Sequence, residues 1–132
     1  MEKRGESNNK KKLMVITNRK ICQEGLLKRL EEVFVAYRQG IYLEDFLIEG
    51  LVLREKDLDQ EVYLKLLGDV QELCQTYEID IYSHKYWKSA MELGIKNIHM
   101  PLYDLLDLAN DGEKYQSFID HFDRIGVSTH SL

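Results

Sequence analysis

The chain has 132 residues, of which 44% are hydrophobic and 31% are charged, and its formal net charge is -5. This length and composition predict one soluble globular domain, and the negative charge argues against a surface that attracts nucleic acid. Residues 1–12 lack the apolar core of a signal peptide, so we predict a disordered basic tail ahead of a domain at 13–132. No apolar run is long enough to cross a membrane, and we therefore expect a cytoplasmic protein without a membrane partner.

Apolar spacing predicts β-strands that alternate with α-helices in the first half of the chain. Strands are predicted at 13–17 and 47–53, with a helix at 24–37 between them. The next helix would be capped by Asp57 or Asp59, and its apolar stripe is the clearest in the sequence. The stripe consists of Tyr63, Leu66, Leu67, Val70, Leu73, Cys74 and Tyr77.

The second half of the chain continues the same alternation. We predict strands at 79–82, 95–100 and 124–127, a short helix at 85–93, and helical segments from 102 to 122 that break at 110–112. Such an order predicts an α/β fold with a parallel sheet and right-handed crossovers. Two architectures remain open: a TIM-barrel-like sheet truncated after its fifth strand, or a five-stranded doubly wound sheet.

Polar residues follow four of the predicted strands, and ligands bind at the carboxyl ends of strands in parallel sheets. The stretches are Thr17–Arg19, Arg54–Lys56, Ser83–Lys85 and Ser128–His130. Arg54 and Lys56 share one strand face, because successive side chains alternate. Two neighbouring cations are typical of an anion clamp, although a solvated strand end would also carry them.

Four segments together resemble the thiamine phosphate synthase superfamily, which also contains the thiazole tautomerases. VITNR, LREKDL, IHMPLYDL and IGVSTHSL occur in the order and spacing of that family, over residues 13–132. The resemblance implies a βα barrel of which this chain holds the first five strands. It also implies an enzyme of thiamine biosynthesis, which either joins hydroxymethylpyrimidine pyrophosphate to thiazole phosphate or tautomerises a thiazole. Its ligand would be a small phosphorylated pyrimidine or thiazole.

The resemblance also implies roles for individual residues. Arg54 and Lys56 match cations that bind the pyrophosphate, Asp104 matches a metal-binding carboxylate, and Ser128 matches a hydroxyl contact. A synthase-type enzyme would need Mg²⁺ as its cofactor, whereas a tautomerase-type enzyme would need none. His130 stands at the place of the histidine that moves a proton in the tautomerases. An imidazole suits this role because its pKa lies near the working pH.

The chain departs from the family's pattern at several contacts. Val52 replaces a glutamine that contacts the pyrimidine, and Leu102 replaces another polar residue. Ser83 and His84 stand where an Asn-Asp pair supplies a metal ligand, and we assign both to the substrate-binding set. A lone imidazole is a poor Mg²⁺ ligand compared with a carboxylate, and Pro101 also occurs in the tautomerases. The pattern therefore favours the tautomerase branch.

Other interpretations remain open. A degenerate or truncated family member would bind a phosphorylated ligand or a partner chain without catalysis, and its unpaired outer strands would cause self-association. A flavodoxin-like receiver or nucleotide-binding domain is disfavoured, because TNRKICQEG lacks a glycine-rich phosphate turn. His84 could instead cap the following helix. We interpret His99 as a packed strand residue, His121 as a helix-surface residue and Cys74 as a reduced, packed thiol.

Overall fold

The computed structural model describes residues 10–17, 23–41, 44–55 and 57–129, so the predicted site residues Lys56 and His130 lie outside the described residues. The elements follow the predicted alternation. They are β1 (Lys11–Ile16), α1 (Gln23–Arg38), β2 (Phe46–Val52), α2 (Gln60–Tyr77), β3 (Ile81–His84), α3 (Trp87–Glu92), β4 (Asn97–Pro101), α4 (Leu102–Ala109), α5 (Gly112–His121) and β5 (Arg124–Ser128). The first strand begins at Lys11, inside the segment 1–12 that the sequence assigned to a tail.

The five strands form one sheet in the order β1-β2-β3-β4-β5, and every neighbouring pair is parallel. A doubly wound sheet reverses its strand order at a switch point, whereas a βα barrel adds its strands consecutively. The consecutive order therefore excludes the doubly wound alternative. The sheet curls into a half-barrel, which confirms the predicted barrel-like fold. None of the helices in the described ranges combines the length and apolarity that a membrane span requires.

The third strand starts two residues later than the sequence predicts. Glu78 ends α2 in the left-handed region with φ 58°, and the backbone N–H of Ile79 donates to the carbonyl of Cys74 at 2.9 Å. Ile79 therefore belongs to the helix C-cap, and its apolar side chain packs there rather than in the strand. The consequence is that Ser83 and His84 lie within β3, where alternation separates them onto opposite faces.

The outer face of the sheet packs against the helices and forms the core. The predicted stripe of α2 is confirmed, since Tyr63, Leu66, Leu67, Val70 and Cys74 are all buried. From the sheet, the core takes Ile48, Leu51, Leu53, Ile81, Ile98 and Met100. Burial raises the pKa of the Cys74 thiol to about 12, so this packed thiol stays protonated at neutral pH. The prediction of a packed Cys74 is therefore confirmed.

One buried tyrosine joins two strand ends. The hydroxyl of Tyr63 on α2 donates to the carbonyl of Leu53 at 2.7 Å and accepts from the backbone N–H of His84 at 2.8 Å. Burial raises the pKa of Tyr63, which keeps the hydroxyl protonated and able to make both bonds. The ring lies 5.1 Å from that of Tyr86, whose hydroxyl donates to the carbonyl of Leu58 at 2.8 Å. The carboxyl ends of β2 and β3 are thus fixed relative to each other.

The two outermost strands leave apolar side chains open to solvent. β1 pairs with β2 and β5 pairs with β4, so each has one edge without a strand in the described part of the chain. Ile125 and Val127 of β5 share the face of the core residues Ile98 and Met100, yet they are 37% and 43% exposed. Ile16 of β1 is 55% exposed on the opposite face. Open strand edges beside apolar side chains favour association with another chain.

Replacement of Tyr63 by Phe is expected to lower the free energy of unfolding by about 1–3 kcal/mol. The change removes the one hydroxyl that is hydrogen-bonded both to the buried carbonyl of Leu53 and to the buried N–H of His84. Urea denaturation measures the loss, and Tyr103→Phe on the exposed face of α4 is the matched control, with a change within about 0.5 kcal/mol. Equal stability of the two variants would contradict this role of Tyr63.

The isolated chain is expected to self-associate through the open edges of β1 and β5. Sedimentation velocity over a range of protein concentrations should show a weight-average sedimentation coefficient that rises with concentration. A monodisperse monomer that also unfolds cooperatively in calorimetry would contradict this expectation.

Candidate functional site

Four residues form a row across the concave face, which is the face of the sheet opposite the helices. In the strand register, His84 of β3 pairs with His99 of β4, and His99 pairs with Gly126 of β5. Two residues earlier, Val52 of β2 pairs with Tyr82 of β3. Extending that pairing by two residues brings the end of β2 into the same row. We name this set the histidine row, and it consists of Arg54, His84, His99 and Gly126.

The two imidazoles of the histidine row contact each other and are held by their neighbours. The ring centroids of His84 and His99 lie 5.8 Å apart at an interplanar angle of 60°. A Cβ atom on Gly126 would lie 3.0 Å from Cδ2 of His99, so only a glycine leaves the ring its space. Nδ1 of His99 is buried and has no hydrogen-bond partner among the described residues. Packing therefore fixes this ring while one of its nitrogens stays available.

The charge of Arg54 acts on His99 across the intervening strand. Burial lowers the pKa of His99 below its ordinary value of 6.5, and the positive charge of Arg54 lowers it further. His99 is consequently neutral at pH 7. By strand alternation Arg54 follows Val52 on the face opposite the core residues Leu51 and Leu53.

A buried threonine supports Arg54 from the end of β1. The hydroxyl of Thr17 accepts from the backbone N–H of Arg54 at 2.9 Å and donates to Oε2 of Glu55 at 2.8 Å. Thr17 and Glu55 are both buried, and Glu55 follows Leu51 and Leu53 on the helix-facing side of the strand. Thr17 belongs to one of the four predicted strand-end stretches, whereas residues 18 and 19 lie outside the described residues. Its role is thus to fix the backbone that carries the guanidinium.

The predicted contacts on β3 and β5 separate by face. Ser83 is 0% exposed and pairs in register with Ile98, so it lies in the helix-facing layer rather than in the histidine row. Its neighbour His84 is buried on the concave side, and the N-cap of α3 is Tyr86. Ser128 is partly exposed, pairs with Pro101, and lies two residues beyond Gly126 on the same face. We therefore keep His84 and Ser128 in the candidate site and leave Ser83 out.

The predicted metal ligand Asp104 lies in a separate groove of about 540 Å³ between α3 and the helices α4 and α5. The charged side chains lining this groove are Lys85, Lys88, Asp104, Asp107, Asp111 and Lys114. Within the described ranges, no three His, Cys, Asp or Glu side chains converge on one point. Mg²⁺ prefers several oxygen ligands in octahedral geometry. The three carboxylates of this groove do not converge with one another, so the groove does not present the ligand set that Mg²⁺ prefers.

His99 is the site residue that the sequence interpretation missed. It was read as a packed strand residue, yet it faces the concave side beside a second imidazole. Strand alternation gave a signal, because His99 and Pro101 share a face that is opposite to the core residues Ile98 and Met100. His121 also differs from its predicted surface position, since Nε2 lies 2.8 Å from the carbonyl oxygen of Ile95 and the bond is partly buried.

A consecutive parallel half-barrel is typical of βα-barrel proteins, whose ligands bind at the carboxyl ends of the strands. The family model of thiamine monophosphate synthase matches residues 13–132. This chain therefore belongs to the thiamine monophosphate synthase family. A comparison with individually curated proteins gave no match.

The lowered pKa of His99 predicts a specific dependence of stability on pH. The unfolded chain binds a proton more readily than the folded chain does, so the free energy of unfolding falls as the pH drops from about 7.5 to about 5.5. His99→Gln should flatten this dependence. Urea denaturation at several pH values provides the measurement. Identical slopes for wild type and His99→Gln would contradict the assignment.

Proposed function

We propose that this chain binds a small phosphorylated thiazole or pyrimidine over the histidine row and acts as a thiazole tautomerase. The observation that carries the proposal is the pairing of His84 with His99 on the concave face, where their rings lie 5.8 Å apart near the carboxyl ends of β3 and β4. Ligands of βα barrels bind at this end of the strands, and membership of the thiamine monophosphate synthase family supports a phosphorylated thiazole or pyrimidine as the ligand.

In this proposal, Arg54 holds the phosphate of the ligand. A guanidinium presents a planar fork of N–H donors that matches two phosphate oxygens, and its backbone is fixed by Thr17. Lys56, the second cation that the sequence predicts for this site, would add a further positive charge. Ser128 of β5 pairs in register with Pro101 of β4, and its hydroxyl would donate to the same ligand. The three side chains together would orient the ring of the ligand on the concave face.

We assign the proton transfer to His130, two residues beyond Ser128. A tautomerisation removes a proton from one position of the ring and returns it to another, so one imidazole serves as base and then as acid. The step needs no metal ion and leaves the phosphate unchanged. Asp104 is the one carboxylate that the family resemblance predicts to bind a metal, and His130 would need no such ligand for the proton transfer.

The synthase reaction is the weaker candidate for this chain. Departure of pyrophosphate from the pyrimidine develops negative charge that Mg²⁺ neutralises in the family, and the groove of Asp104 does not fit that ion. Val52 also stands where the family uses a glutamine contact to the pyrimidine. For these reasons we propose a metal-independent reaction.

A non-catalytic binding protein is the second candidate function. Its specific support is Ile16 of β1, which is 55% exposed on the concave face at the edge of the sheet. Proton transfers in enzymes proceed in sites that exclude water. A protein of this kind would bind the same phosphorylated ligand through Arg54 without turning it over.

Arg54→Ala is expected to weaken the binding of thiazole phosphate and of pyrophosphate by roughly tenfold to hundredfold, because a charged hydrogen bond contributes about 1.5–3 kcal/mol. Isothermal titration calorimetry measures both affinities. Lys65→Ala is the matched control, since Lys65 pairs with Asp69 on the exposed side of α2, and it should bind as the wild type does. Unchanged affinity in Arg54→Ala would remove the guanidinium from the site.

His130→Gln separates the two candidate functions. If the chain is a tautomerase, the variant loses tautomerisation of thiazole carboxylate phosphate but keeps the affinity of the wild type for that ligand. Proton exchange at the thiazole ring, followed by NMR, measures the reaction. Full activity in His130→Gln would exclude His130 from the mechanism, and an inactive wild type that still binds would favour the non-catalytic protein.

A further inference from the structure

We infer that His99 binds the phosphoryl group of the ligand together with Arg54, and that its imidazole takes up one proton from solvent when the anion binds. This inference rests on the proposed function. It adds to it a binding residue on β4 and a dependence of affinity on pH, neither of which follows from the family match.

The first support is the geometry of the histidine row. Arg54, His84 and His99 lie at one level of the concave face on three successive strands. The imidazole of His99 packs between His84, whose ring centroid lies 5.8 Å from its own, and Gly126, which has no side chain. Such packing holds the ring on the concave face, and extension of the β2–β3 register by two residues places Arg54 at the same level, so both residues border the space over the row. One anionic group in that space therefore meets both side chains.

The second support is the unused hydrogen-bonding capacity of the ring. Nδ1 of His99 is buried and makes no hydrogen bond to any described residue. A neutral imidazole has one donor and one acceptor nitrogen, whereas the protonated ring has two donors. Phosphate oxygens of a dianion accept hydrogen bonds only. The protonated ring of His99 is thus the better partner for the anion. The ring reaches this form by taking up a proton from solvent.

The third support is the sign of the charge that His99 experiences. Three neighbouring residues of the described ranges surround His99. They are Arg54 at the end of β2, His84 on β3 and the uncharged Gly126 on β5. One level lower, Arg124 of β5 donates to the hydroxyl of Tyr82 at 3.1 Å and pairs with Asp80 at 3.0 Å. Glu55 belongs to the helix-facing side of its strand.

In the described chain the charge acting on His99 is therefore positive, which lowers its pKa while no ligand is bound. A phosphate dianion beside Arg54 reverses this field and favours the imidazolium. The affinity for the anion should consequently rise as the pH falls from about 7.5 to about 6.

Calorimetric titration of the full chain with inorganic pyrophosphate tests the inference. The titration is repeated at pH 7 in buffers with different enthalpies of ionisation, because the dependence of the observed heat on the buffer gives the number of protons taken up. We expect His99→Gln to take up fewer protons than wild type and to bind pyrophosphate roughly tenfold more weakly. His121→Gln, a change remote from the row, should match the wild type in both quantities.

The possible results are distinguishable. Equal proton uptake and equal affinity in His99→Gln and wild type would overturn the inference while leaving the proposed function intact. A wild type that binds neither pyrophosphate nor thiazole phosphate would overturn both.

A second measurement covers the case in which His99→Gln does not fold. Imidazole ¹⁵N NMR of the wild-type protein gives the pKa of His99 directly. The pKa should rise when pyrophosphate is added, and a pKa that stays the same would overturn the inference.

Discussion

The hydroxyl of Tyr63 is the interaction on which the geometry of the site depends. Its two hydrogen bonds hold the end of β2 and the end of β3 at a fixed separation, and one of them is made to His84 itself. Arg54 follows Leu53 directly, so the carbonyl that Tyr63 binds lies one residue before the guanidinium. An apolar helix stripe thus carries, at its first turn, a polar group that sets the spacing of two site residues.

The two faces of the sheet differ in role, since the outer face forms the core and the concave face carries the candidate site. The outer face supplies an apolar core against the helices, and polar side chains enter that layer where a partner receives them, as Thr17 does for Glu55. The concave face instead carries cations and imidazoles near the carboxyl ends of the strands. This division explains why Glu55 and Arg54, which are neighbours in sequence, have different roles. Alternation turns one into the core and the other toward the concave face.

Much of the fold follows from the sequence alone. The stripe of α2, the cap at Asp59, and the break between α4 and α5 were predicted at or near their positions. These features depend on local hydrophobic periodicity and on capping chemistry, which a single sequence carries. The family resemblance also predicted a barrel-like sheet, and the consecutive strand order confirms it.

The candidate site was only partly predictable, because faces and register depend on tertiary contacts. The C-cap at Glu78 delays β3 and sends Ser83 and His84 to opposite faces. A bulge beside Leu13 changes the alternation of β2, which places Ile48 and Leu51 in the same core. The register then brings His99 next to His84, a contact between strands that the sequence does not encode locally. Each of these features depends on how the strands pair in the folded protein and not on the conformational preferences of single residues.

The most direct test of the central claim is a crystal structure of the protein with bound pyrophosphate. Our account predicts a phosphoryl group over the histidine row, within hydrogen-bond distance of the guanidinium of Arg54 and of the imidazole of His99. Pyrophosphate bound instead among Lys85, Lys88 and Lys114 in the groove of Asp104 would contradict it, because the anion would then recognise the helices and not the concave face.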